Sequence, residues 1–531
     1  MKNFIDRLAK ILPLFTILFM AILLVRMCDK GPKKVEVNDH RWDKLMLILD
    51  QIEQHYVDSI DYKDIIEKTL PHIMENLDPH SVYLPPAELE VADESLTGNF
   101  SGIGIQFNVP NDTVVVISVI PGGPSERAGL LSGDRIITVD GENIAGVKMP
   151  QDSIIRRLKG PRGTTVKVGV KRDDLEELVP FSIKRDNIPV KSVDVAYMIN
   201  DTLGYIKLSK FARTSYSEVE KELTKLREKG VRSLIFDLRD NSGGYLDQAL
   251  LLSNEFLAKN ELIVYMEGLH RKRQDFHADG RGKMQDVNLY ILINENTASS
   301  SEIFAGAIQD NDRGTIVGRR SFGKGLVQEP IYFTDKSGIR LTVARFYTPT
   351  GRSIQKPYSK DYQYDIIERY QHGEMTVADS IKRNDSLKFV TPKGKVVYGG
   401  GGIIPDIFVP IDTVGITNFL VAVNRKSLQV KYSIKLSDAY RHQLREVKSF
   451  VELERLIATI DIEDGFLAFA KENGIVPKEG EWERSKEFIV TQIKGLFGRY
   501  STLDDDAFYP YINRVDNVIE RVLEEEKQIN H

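Results

Sequence analysis

The chain is 531 residues long, more than one hydrophobic core usually supports, so several domains are expected. An apolar fraction of 41% and a charged fraction of 28% are those of a globular protein, and a net charge of -5 with no long basic tract argues against nucleic acid as the main partner. The single cysteine, Cys28, excludes internal disulfides, and no His/Cys/Asp cluster has metal-ligand spacing, so neither a metal nor another cofactor is implied.

At the N-terminus Lys2, Arg7 and Lys10 precede a 15-residue apolar run, Ile11 to Val25. Such a run directs a chain to a membrane. It is at the upper edge for a signal-peptide core, short for a spanning helix, and not clearly followed by a small-x-small cleavage site. Residues 1–28 are therefore expected to be a retained anchor, with cleavage as the alternative. The remainder would lie in the cell envelope, on the periplasmic or other extracytoplasmic side. Arg26 and Met27 argue against lipid attachment at Cys28. A charged linker, Asp29 to Asn38, leads into residues 38–97, where Leu45, Ile48, Leu49, Ile52 and Tyr56 recur at helical spacing and predict a helical domain.

The next module opens with Phe100-Ser101-Gly102-Ile103-Gly104-Ile105, followed by Pro124-Ser125-Glu126-Arg127-Ala128-Gly129-Leu130 and Gly133-Asp134-Arg135-Ile136-Ile137. Alone, Gly102 and Gly104 would merely shape the entry to a strand. Together the three stretches resemble a PDZ domain over residues 98–186. The resemblance implies that Gly102, Ile103, Gly104 and Ile105 form a carboxylate-binding loop, whose amides hold a peptide C-terminus while the peptide adds as a strand. Ile103 and Ile105 would line the pocket for the last side chain, so the expected ligands are proteins with exposed apolar C-termini.

From 187 to 412 strand-like and helix-like stretches alternate: Leu203 to Leu208, the charged stretch Tyr216 to Lys229, Ser233 to Leu238, then Tyr245 to Leu257. This favours an α/β core. The polar stretch His270 to Met284 reads as a loop or hairpin across the mouth of the site. After the apolar stretch Leu289 to Ile293 comes Thr297-Ala298-Ser299-Ser300-Ser301-Glu302, then an amphipathic stretch through Phe304, Ala307 and Ile308. The serines thus sit at a strand-to-helix turn, where unpaired N–H groups suit an oxyanion; the Ser300 amide would be one donor.

A serine hydroxyl is a poor nucleophile until a neighbour takes its proton, and a lysine does so only when burial or nearby cations make it neutral. Lys324, between Gly323 and Gly325, can be threaded close to another backbone. Three other readings compete. Ser299 and Glu302 form an S-x-x-E capping box. Gly318 to Lys324 matches the G-x-x-x-x-G-K of a phosphate loop, but Gly325 replaces the required Ser or Thr, and Leu326-Val327-Gln328 reads as strand. Ser321 to Lys324 matches S-x-x-K of penicillin-recognising enzymes without their S-D-N and K-T-G elements.

The run Thr297 to Glu302, with Phe322-Gly323-Lys324-Gly325-Leu326-Val327-Gln328, resembles the paired motifs of C-terminal processing peptidases, also called tail-specific proteases. Asp237-Leu238-Arg239-Asp240-Asn241-Ser242-Gly243-Gly244 is a further match, and the resemblance spans about residues 40 to 412. It implies a Ser-Lys serine endopeptidase with Ser299 as nucleophile, Lys324 as general base 25 positions later, and Gln328 orienting the lysine. It also implies a second oxyanion donor from the amide of Gly243 or Gly244. The neighbouring Ser300 hydroxyl leaves open which serine reacts, although the spacing favours Ser299. Glu302 acts either as a cap or through its charge. Asp78-Pro79-His80-Ser81-Val82-Tyr83 resembles a family turn motif that gives His80 no role as a base, and a turn-stabilising histidine is expected there. Gly399 to Gly402, before Ile403-Ile404-Pro405-Asp406, resembles the segment that closes the core. In the family the PDZ module also helps switch the protease between resting and active arrangements.

The tail, residues 413–531, lies outside the resemblance and reads as several helices, including Trp482 to Tyr500 and Asp504 to Glu526. Ile489, Ile493, Leu496 and Phe497 share one helical face and are expected in a core. Homo-oligomer or adaptor contacts are expected of this tail. The fold class expected is multidomain α/β (α+β): a helical N-terminal region, a PDZ domain, an α/β Ser-Lys protease core and a helical C-terminal extension. The function expected is an envelope endopeptidase acting in C-terminal processing or degradation of exported proteins. Its rival is a non-catalytic PDZ-based peptide-binding scaffold with a vestigial protease core, which the intact Ser-Lys-Gln set opposes.

Overall fold

The computed structural model describes residues 43–172, 175–358 and 362–529. The expected anchor, residues 1–28, lies outside them; among the described residues no helix is long and apolar enough to cross a membrane. The chain divides into two units, Met1–Leu70 and Pro71–His531. In the first, the predicted periodicity forms the helix Asp43–His55, none of whose residues is fully buried.

The larger unit is built on a six-stranded sheet in the order Val193–Met198, Leu203–Leu208, Ser233–Asp237, Asn288–Ile293, Thr315–Gly318, Ile407–Phe408. All neighbours run parallel except the first pair. The central strands are apolar through their middles, Leu234 to Phe236 and Leu289 to Ile293, because both faces are covered. Leu234 and Phe236 face one core, packed under the helices Ser215–Glu228, Leu246–Asn254 and Ser300–Asp310, while Ile235 faces the other. That second face is covered by Val518, Ile519 and Val522 of the last helix, Asn517–Ile529. Each such fully buried aliphatic side chain stabilises by about 1.5–3 kcal/mol. The end of the C-terminal extension is therefore a layer of the protease core.

A second, five-stranded sheet carries Val82–Leu84, Gly338–Tyr347, Leu262–Gly268 and Arg271–His277 in that order, with Leu326–Tyr332 also paired to Gly338–Tyr347. The polar stretch from His270 thus starts the second arm of an antiparallel hairpin. Between residues 105 and 184 a separate antiparallel sheet encloses Val114, Val116, Ile136, Val166 and Val168. Ile105–Asn108 forms one of its edges.

The predicted helix from Asp504 to Glu526 is two helices, Asp505–Ile512 and Asn517–Ile529. Pro510 lacks an amide donor, and Asp516 ends the connection by accepting the Val518 N–H at 2.9 Å. Ile489, Ile493 and Phe497 are buried as expected, but Leu496 is only half-buried. The extension touches both other modules. Val115, outward-facing by strand alternation, joins its apolar cluster, and Arg441 Nη2 donates to the Gly133 carbonyl at 2.8 Å. At the other end Arg239 Nη1 pairs with Asp516 at 2.7 Å, and the Tyr290 hydroxyl donates to Glu526 at 2.9 Å.

Asp504, just before the helix Asp505–Ile512, has φ 50° and a buried carboxyl group that Ser118 faces. Burial, with Asp505 adding, pushes its pKa up to about 6. Stability from such a group is present below the unfolded value near 4 and lost as pH rises through 6. Asp504→Asn is expected to raise the melting temperature above pH 7 by roughly 1–3 °C and to flatten its fall between pH 4 and 6. Thermal melts across that range check this; an unchanged slope contradicts it.

Candidate active site

Strand Asn288–Ile293 delivers the chain to a turn stitched to the loop that follows strand Ser233–Asp237. The Asp240 N–H donates to Asn294 Oδ1 at 2.9 Å, and the Thr297 hydroxyl to the Leu238 carbonyl at 2.9 Å. At the end of this turn Ser299 takes φ 57°, ψ −118°, a conformation costly for a non-glycine residue and held here by its surroundings. The three serines then divide. The Ser300 hydroxyl donates to the Gly244 carbonyl at 2.8 Å and the Ser301 hydroxyl to the Asn241 carbonyl at 3.0 Å. Ser299 is half-buried, and among the described residues its hydroxyl donates to none.

Glu302 is fully buried and forms a capping box with Ser299, as the S-x-x-E spacing predicts. It does more. Its Oε2 accepts the N–H of Ser299 at 2.9 Å and of Lys324 at 2.8 Å, while Oε1 accepts the Gly323 N–H at 2.8 Å and the Ser321 hydroxyl. One carboxylate therefore ties the serine turn to the lysine loop. Burial raises its pKa, and the four donors oppose that rise by favouring the charged form. Ser321 in turn accepts the Ile403 N–H at 2.6 Å, which anchors the glycine run 399–402 to the same loop.

Lys324 Nζ donates to Gln328 Oε1 at 2.8 Å, and Gln328 Nε2 donates to the His80 carbonyl. The bulge between Val327 and Gln328 re-aims the glutamine. Burial holds the Lys324 pKa below the ordinary lysine value; Arg340 adds to the depression, and Glu302 and Asp78 oppose it. The Asp78-Pro79-His80-Ser81 turn is stabilised by Asp78, whose carboxylate accepts the N–H of His80 and of Ser81, each at 2.8 Å. His80 takes part in this turn through its N–H and offers its carbonyl to Gln328. Its imidazole bonds the Tyr362 hydroxyl at 2.6 Å, and burial, followed by Lys324, depresses its pKa to about 4, leaving it neutral.

Of the two glycines expected at the oxyanion site, Gly243 has its N–H committed to Asn241 Oδ1 at 2.9 Å, and Asn241 Nδ2 is itself held by the Leu208 carbonyl. Among the described residues the N–H groups of Ser300 and Gly244 have no partner. A Cβ on Gly243 would lie 2.8 Å from both Ser299 Cβ and Ser300 N, so only glycine fits, with φ 97°. In the other module Gly104 has φ 75°, Ile103 is buried in the local core, and Ile105 remains half-buried on the edge strand. Ile103 therefore packs inward rather than lining a surface pocket. Sequence reasoning missed Asn241, Asn294, Ser321 and the His80 carbonyl. Asn241, Ser321 and His80 lie within the motifs and Asn294 beside one, but spacing gave none of these groups its part here. Among the described residues no cluster of three or more His, Cys, Asp or Glu side chains is placed to hold a metal ion.

Glu302→Gln would turn an amide NH2 toward N–H donors and leave at least one of them unpaired. A loss of about 2–4 kcal/mol of stability and a fall of roughly 100-fold in Ser299 labelling by a fluorophosphonate are expected. Melts and intact-mass labelling check both; a variant that labels like the parent contradicts the clasp.

Residues 202–366 match Peptidase family S41, residues 101–183 a PDZ domain, and residues 419–501 a family of unknown function. The carboxy-terminal-processing protease of Bartonella bacilliformis is 35% identical over 343 residues, 63% of this chain and 77% of that protein. The carboxy-terminal processing protease CtpA of Bacillus subtilis is 31% identical over 327 residues, 61% of this chain and 69% of that protein. Among solved structures, the PDZ domain of a carboxy-terminal protease from Vibrio cholerae in complex with peptide is 29% identical, covering 17% of this chain and 99% of that one with a TM-score of 0.16. With the matched segment carrying the serine turn, the lysine loop and the glycine loop, the chain belongs to Peptidase family S41 and is a serine-type peptidase of the carboxy-terminal processing group.

Proposed function

We propose that this peptidase works in the cell envelope, selects proteins by an exposed apolar C-terminal tail, and cleaves them with Ser299 and Lys324. The observation that carries the reading is the single buried carboxylate of Glu302 bonded to the backbone N–H of both residues. A neutral amine has one lone pair, and donation from Nζ to Gln328 limits its rotation so that the pair is available to the Ser299 hydroxyl. Ser299 attacks the scissile carbonyl, and Lys324 takes the proton and returns it to the leaving amine. Water then releases the acyl group by the same steps in reverse roles. The oxyanion is held by the amides of Ser300 and Gly244, the latter favoured because the Gly243 N–H is spent on Asn241.

The edge strand Ile105–Asn108 supports recognition by strand addition, since among the described residues no strand pairs with its outer side. The cationic, apolar N-terminus supports anchoring and an extracytoplasmic site of action. The exposed faces of residues 413–531 are assigned to homo-oligomer or adaptor contact. The scaffold reading gains nothing from a site whose lysine, glutamine and glutamate remain joined by hydrogen bonds.

The test uses the chain lacking residues 1–28, mixed with unfolded proteins that end in apolar or charged tails, with fragments followed by mass spectrometry. Cleavage is expected for apolar tails only, with Ser299→Ala and Lys324→Ala each roughly 10³-fold slower or worse. Because the active lysine is the neutral form, the rate should rise with pH and level off below the ordinary lysine pKa. Cleavage that survives Lys324→Ala, or ignores the tail, overturns the corresponding half of the proposal.

A further inference from the structure

Arg340 stands in strand Gly338–Tyr347 between Val82 on one side and Pro330 on the other. Thr342, two residues along on the same sheet face, pairs with Gln328, the glutamine bonded to Lys324. The Arg340 side chain is 27% exposed, and its Nη2 is buried with no hydrogen-bond partner among the described residues. Its ion pair with Asp93, from helix Pro86–Thr97, is 3.6 Å long, beyond a hydrogen bond. A guanidinium usually saturates its donors with a carboxylate fork. Here a largely buried cation is left under-neutralised on the sheet face that orients the lysine.

We propose that Arg340 is a positioning residue that acts through Lys324: its incompletely paired charge, on the sheet face that carries Gln328, disfavours a second cation there, and Asp93 sets how much of that charge the lysine feels. The proposal rests on Lys324 being the base, as proposed above. The groups acting on Lys324 are Arg340, Glu302 from helix Ser300–Asp310 and Asp78 from the turn before Val82. After burial, Arg340 is the larger cause of its lowered pKa, and both carboxylates oppose it. His80 beside it stays neutral. Lys356 is turned toward Asp365, at 3.2 Å, and lies over the rings of Phe322 and Tyr362. Facing Asp93 besides Arg340 is the Tyr332 hydroxyl from strand Leu326–Tyr332. Arg340 is thus the cation placed to bias the lysine, and Asp93 the carboxylate placed to temper it.

The test is the pH dependence of Ser299 labelling by a fluorophosphonate in the full chain, read by intact mass, which needs no tail recognition. The parent should show a rising limb that Lys324→Ala abolishes. Arg340→Gln should move the midpoint up by about 0.5–1 pH unit, so that labelling near pH 7 falls roughly 3- to 10-fold while the high-pH plateau is kept. Arg340→Lys, which keeps the charge, should stay near the parent, and Asp93→Asn should move the midpoint down. A lower plateau with an unmoved midpoint in Arg340→Gln, or a midpoint in Asp93→Asn that fails to fall, overturns the inference and leaves the Ser-Lys reading intact. Undiminished labelling of Lys324→Ala overturns that reading and this inference with it.

Discussion

The arrangement depends on a fully buried carboxylate. Glu302 is buried, yet four donors converge on it, one from the serine turn and three from the lysine loop. A buried charge of this kind is tolerable only when every lone pair is used, and using them fixes two loops about twenty residues apart in sequence against each other. Even the strained conformation of Ser299 is supported by it, because the Ser299 N–H points at Glu302 rather than into a helical ladder.

The lysine pays for the same geometry. Burial and Arg340 push it toward neutrality while Glu302 and Asp78 pull it back, so the site balances charges that are each needed for another reason. Gln328 is the neutral intermediary. It orients the amine without adding charge, and its own orientation is set by the His80 carbonyl, which the Asp78 turn holds in place. The short strand Val82–Leu84, directly after that turn, pairs with Gly338–Tyr347 and so brings residues far from the motifs into the lysine's surroundings.

The C-terminal extension contributes at a larger scale. Its last helix supplies the apolar layer on the second face of the parallel sheet, and its earlier helices share an apolar cluster with Val115 of the PDZ module. Buried or partly buried polar contacts at both ends, Arg441 with the Gly133 carbonyl and Arg239 with Asp516, specify the register of that packing. Without this layer Ile235, Tyr290 and Leu292 would face water.

Much of this was legible in the chain. Alternation of apolar and charged stretches located the strands of the α/β core, because strands buried on both faces must be continuously apolar and their helices amphipathic. The serine, lysine and glutamine were legible because they sit in short motifs whose spacing is local. What the chain by itself did not determine is long-range. That the Ser300 and Ser301 hydroxyls are engaged depends on carbonyls of the loop around residues 241–244, and the His80 carbonyl carries no side-chain signature at all. Periodicity also ran through the break at Asn513–Asp516, since a proline and a cap alter hydrogen bonding without altering the apolar pattern. The sequence by itself placed a serine, a lysine and a glutamine in short motifs and marked which segments are buried. Only the tertiary structure decided which donors are spent and which are left over, because satisfying a buried polar group depends on where distant backbone comes to rest.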